Sequence, residues 1–83
     1  MFRVAWEPSA TDQFAAICVA HPNRWNDINA ADNEIDKQLQ RDPLKYGEAI
    51  SEGLWRIISD PLAVYFSIAG NQVNVEAVGW LGQ

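Results

Sequence analysis

Three runs rich in β-branched and aromatic residues stand almost end to end between Gly53 and Trp80: Leu54 to Ile58, Leu62 to Ile68 and Val73 to Val78. Ser59-Asp60-Pro61 and Gly70-Asn71 separate them, and these are residues that make tight turns. Two hairpins in succession predict a three-stranded antiparallel meander. Across this whole region Arg56 is the only positive charge. An arginine set in an apolar strand needs either an acidic neighbour, such as Glu52 or Glu76, or an anionic ligand.

The first half of the chain has a different period. Phe2, Val4 and Trp6 alternate with Arg3, Ala5 and Glu7, which is the pattern of a half-buried strand ending at Pro8. Ser9 is a candidate N-cap for a first helix whose Ala10, Phe14, Ile17 and Cys18 share one face, closing near His21-Pro22. Asn23 is the candidate cap of a second helix from about Arg24 to Arg41, with Trp25, Ile28, Ala31, Ile35 and Leu39 as its apolar stripe. Asp42-Pro43 stops it. The short link at Pro22 makes the two helices an antiparallel hairpin. Leu44 to Glu52 is polar and irregular, with room for a helical turn at Glu48-Ala49-Ile50.

The expected fold is therefore α+β. A strand and an antiparallel helical hairpin pack on an antiparallel sheet that the C-terminal meander completes, in one domain over residues 1–83. A chain of this size buries roughly 60% of its unfolded surface, enough for one core. Four tryptophans help to fill it.

Six basic residues against eleven acidic ones give a net charge of −5, which opposes long-range attraction to nucleic acid or anionic lipid. One cysteine, Cys18, excludes an intramolecular disulfide and reads as a small packed thiol in a reducing, cytoplasmic setting. No apolar run approaches the roughly 20 residues of a membrane span, and no signal peptide is visible. Neither a metal nor a cofactor is expected, since one histidine and one cysteine lack the paired spacing of a zinc motif.

Candidate chemistry is sparse. Arg56 can stabilise developing negative charge, and the acid/base candidates are Glu48, Glu52, His21 and Tyr65, at spacings that do not require proximity. His21 has a plainer role at the end of the first helix, where a cation suits the dipole. Trp55, Tyr65, Phe66 and Trp80 offer stacking surfaces, and equally core or interface contacts. Both alternating faces of Leu54 to Ile58 are apolar, so periodicity leaves the register open. With Trp55 and Ile57 against the helices, Leu54, Arg56 and Ile58 face outward and suit a protein partner.

The order of these segments resembles the RelE/ParE-like toxins of bacterial toxin–antitoxin modules, including plasmid stabilisation proteins. The resemblance is carried by Trp6-Glu7-Pro8-Ser9-Ala10, Arg24 to Leu39 with Arg41-Asp42-Pro43, Gly47, Gly53-Leu54-Trp55-Arg56, and Asp60 to Phe66 before a last strand of alternating valines. It spans nearly the whole chain and implies a domain neutralised by an antitoxin protein. When free, such a domain cleaves mRNA on the ribosome or poisons DNA gyrase. Arg56 matches the arginine that holds the scissile phosphate in the ribonuclease branch, and so is the candidate catalytic residue. Leu54, Arg56, Ile58 and Trp80 are the candidate antitoxin- or target-binding residues. The chain departs from that branch at Val78-Gly79-Trp80-Leu81-Gly82-Gln83, which lacks the usual basic tail, and in the absence of lysines before Arg56. These departures leave open a second reading, a degenerate module that keeps antitoxin binding only.

Overall fold

The structure is a computed structural model and describes residues 1–82. β1 (Arg3–Trp6) leads into α1 (Pro8–Ala20), and a 3-10 turn over Pro22–Arg24 reverses the chain into α2 (Trp25–Arg41). A one-turn helix, α3 (Pro43–Tyr46), delivers it to β2 (Glu48–Ser51), β3 (Leu54–Ser59), β4 (Leu62–Ala69) and β5 (Gln72–Trp80). Among the described residues these strands form one five-stranded sheet in the order β1-β5-β4-β3-β2, so the α+β arrangement and the C-terminal meander are as the sequence predicts.

Three features of the backbone differ from the sequence-based expectation. The sheet is mixed: β1 pairs in parallel with β5, Arg3 opposite Gln72 and Trp6 opposite Val75. No hairpin joins these two strands, so no tight turn imposes a reversal between them. Secondly, Glu48-Ala49-Ile50 is strand rather than helical turn, because β3 offers a free edge to pair with. The helical turn falls just before it, where the Asp42 carboxylate accepts from the Lys45 amide at 3.3 Å. Thirdly, the helix starts shift. Pro8 itself opens α1, its missing N–H being no loss there, and Ser9 caps nothing. Asn23 lies inside the 3-10 turn, which leaves Arg24 as the residue before α2.

Both helices cover one face of the sheet. Ala10 of α1 and Ile28, Ala31, Ile35 and Leu39 of α2 close over Ile57, Leu62, Val64, Phe66, Val73, Val75 and Val78, with Phe2, Val4 and Trp6 along one side. Trp25 leaves the expected stripe: the residue is 54% exposed, and its indole N–H donates to the Cys18 carbonyl at 2.7 Å.

β5 changes parity in its middle. Val73 and Val75 face the helices, as do Val78 and Trp80, which strict alternation forbids. A bulge between the Phe66–Val75 and Tyr65–Ala77 pairs absorbs Glu76 and restores the inward set. β1 reaches only to Val75, and beyond it the Gln13 side chain of α1 takes over, accepting from the Val78 amide at 2.8 Å. At Gly47 the chain passes so close to the core that a β-carbon there would lie 2.8 Å from both Phe66 Cζ and the Pro43 carbonyl oxygen.

Candidate functional site

The register of β3 against β4 settles the two faces. Trp55 lies opposite Phe66 and Ile57 opposite Val64, and these residues point to the helices. Leu54, Arg56 and Ile58 therefore share the outer face, and Ile58 is 48% exposed there. Tyr65 of β4 joins them as the residue opposite Arg56. Its ring leans toward Gly79 of β5, where a β-carbon would be 3.9 Å from Tyr65 Cε2. Ala63, between Ile58 and Gly79, is buried although it faces outward. Of these outward-facing side chains Ile58 is exposed, while Leu54, Arg56 and Tyr65 are half-buried.

Arg56 is flanked on its other side by Glu48 of β2. The guanidinium donates from Nε at 3.0 Å and from Nη2 to the same carboxylate oxygen, Glu48 Oε1. The Glu48 carboxylate, with the Tyr65 hydroxyl beside it, holds the Arg56 pKa above its ordinary value. An acidic neighbour is thus the answer to the lone arginine, but it is Glu48 and not Glu52 or Glu76. Glu52 lies in the turn between β2 and β3, and Glu76 sits at the bulge of β5. A plain two-residue turn at Glu52-Gly53 would set Ala49 opposite Arg56; the irregularity between Ala49 and Ser51 shifts the register by one residue and brings Glu48 there instead, so the turn alone does not announce the pair.

The other expected site residues are elsewhere. Trp80 lies on the helix side of the sheet, stacked on His21 with ring centroids 3.8 Å apart and planes at 11°. The Arg24 guanidinium sits 5.4 Å from the centroid of that indole and also pairs with Asp27 at 2.8 Å. Trp80 therefore does not share a surface with Leu54, Arg56 and Ile58. His21 ends α1, its backbone N–H donating to the Ile17 carbonyl at 3.0 Å. Phe66 is core and Trp55 packs against it, so only Tyr65 of the expected stacking residues borders Arg56.

Chemically, the part of the outer face around Leu54 and Ile58 holds Arg56, already paired with a carboxylate, with a phenol next to it. Glu48 and Tyr65 come within reach of Arg56; His21 and Glu52 do not join them. Phosphoryl transfer needs a base, a charge stabiliser and an acid acting together. Here the base candidate occupies the charge stabiliser. Among the described residues, no three His, Cys, Asp or Glu side chains come together as metal ligands, and no helix is long and apolar enough to cross a membrane.

No protein-family model and no curated protein sequence matches the chain. Solved structures do. The chain is similar to one from the chromosomal ParDE TA system from P. aeruginosa, with a TM-score of 0.78 at 14% identity, covering 99% of this chain and 98% of that one. It is also similar to the solution structure of the conserved hypothetical protein HP0894 from Helicobacter pylori, with a TM-score of 0.62 at 15% identity, covering 96% and 94%. At such identity the likeness is one of backbone path, extending from end to end of both chains. The five-stranded sheet with its helical hairpin on one face is thus the fold of these two solved structures.

Proposed function

We propose that this protein is the toxin-type component of a type II toxin–antitoxin module, neutralised by a partner antitoxin and inhibiting DNA gyrase or translation when free. The observation that carries this reading is the end-to-end likeness to a chain of a ParDE system, together with an outward face on which Ile58 is exposed beside half-buried Leu54 and Arg56. An apolar surface of this kind suits a protein ligand.

The pairing of Arg56 with Glu48 favours action by binding over RNA cleavage. The same observation supports the second reading, a module that retains antitoxin binding alone. Purified protein in a gyrase supercoiling assay and in cell-free translation separates the readings. Inhibition of either one supports an active toxin and names its target. Activity in neither, with a tight complex formed by the product of the neighbouring gene, leaves the binding module.

A further inference from the structure

Arg56 has five N–H donors, and an unpaired guanidinium on an open sheet face is a ready site for an oxyanion. Glu48 takes two of those donors on one oxygen. The carboxylate is held one strand away and faces the guanidinium in register, so any external anion competes with a tethered one. The pair sums to zero charge on a chain of net charge −5, which removes both the local and the long-range attraction for a phosphate.

We infer that Glu48 is the specificity determinant of the outer face, an internal occupant that closes the Arg56 oxyanion site and leaves the face selective for protein. The inference deepens the binding reading above, and it assigns Glu48 a role that its sequence position alone does not suggest. The Glu48 side chain is 59% exposed on an edge strand, and the Arg56 side chain 33% exposed. Neither supports the core, so the carboxylate can be neutralised without disturbing the fold. With Glu48 replaced by glutamine, the amide no longer cancels the guanidinium charge, and an oxyanion can enter beside the Tyr65 hydroxyl.

The test is binding of a fluorescein-labelled oligouridylate at low salt to the wild-type chain, Glu48→Gln, Glu48→Gln/Arg56→Ala and Glu34→Gln. Glu34 lies exposed on α2, bonded to Gln38 at 3.1 Å, and its substitution changes the net charge equally. Glu48→Gln is expected to bind about tenfold tighter than wild type. The double variant should return to the wild-type affinity, and Glu34→Gln should gain less than about twofold. No gain in Glu48→Gln, or an equal gain in either control, overturns the inference.

Titration with inorganic phosphate, followed at the Arg56 Nε–H resonance, gives a second readout that does not depend on RNA. A saturable shift is expected in Glu48→Gln and none in wild type; a shift of equal affinity in both contradicts an occupied site. Thermal melts confirm that each variant is folded. Neither experiment involves an antitoxin, gyrase or ribosome, so its failure leaves the toxin reading standing. A harmless wild-type protein, conversely, leaves the role of Glu48 intact.

Discussion

Arg56 of β3 and Glu48 of the edge strand β2 face each other in register, and two guanidinium donors converge on a single carboxylate oxygen. The pair is exposed enough for solvent to screen it, and exposed ion pairs add little to folding. Arg56→Ala and Glu48→Gln should therefore leave the chemical-denaturation midpoint close to that of wild type. A large drop would mean that the pair holds β2 in place.

Gly47→Ala is expected to destabilise the fold. The added methyl meets the Phe66 ring and the Pro43 carbonyl at 2.8 Å, and the backbone oxygen has no rotamer by which to escape. Overpacking of this kind costs about 1–3 kcal/mol, measurable by urea denaturation.

How much of this was legible in the sequence depends on what fixed each element. The α2 stripe from Ile28 to Leu39 and the three C-terminal runs were readable, because burial on one face imposes a period. The step from Val73 and Val75 to Val78 and Trp80 also announces a bulge, through its change from odd to even positions. β2 was not readable: Glu-Ala-Ile favours no strand by itself, and only pairing with β3 makes it one. The outward position of Arg56 was equally hidden, since Trp55 and Ile57 compete with Leu54 and Ile58 as inward candidates and only the pairing with β4 decides. Trp80 faces the helices because one residue of bulge moves every later side chain of β5 to the other face.

Gln13 supplies the acceptor for the Val78 amide where β1 has ended. Gln13→Ala should cost about 1–3 kcal/mol by leaving a half-covered donor unpaired. Hydrogen exchange at the Val78 amide should speed up with it, and unchanged exchange would mean that water serves as well.

Asp32 is half-buried on α2, and burial first, then the Asp36 charge one turn on, raises its pKa above the ordinary 3.8. The folded state thus binds this proton more tightly than the unfolded chain. For this group, stability is greatest below the ordinary value, falls as pH rises through the raised folded value, and stays lowered above it. Asp32→Asn should be more stable than wild type at neutral pH, by about 0.2–0.5 kcal/mol for relief of a like-charge pair one turn apart. The difference should vanish as pH falls below the ordinary carboxylate range. Paired denaturation curves across pH check both the sign and the window.

A complex formed through Leu54, Ile58 and Tyr65 should depend little on salt. Raising ionic strength from about 0.1 M to about 1 M shortens the Debye length from about 10 Å to about 3 Å. The affinity of the chain for the product of the neighbouring gene should change by less than about tenfold over that range. A steep collapse would point to charge pairing instead, and Ile58→Asp should weaken the complex at either salt.

Growth of cells induced to make this chain, alone or together with the protein encoded beside it, tests the toxin reading most directly. Arrest is expected when the chain is made alone, recovery when the partner accompanies it, and relief of the arrest by Arg56→Ala. Unimpeded growth of cells that contain the folded wild-type chain without a partner would contradict it.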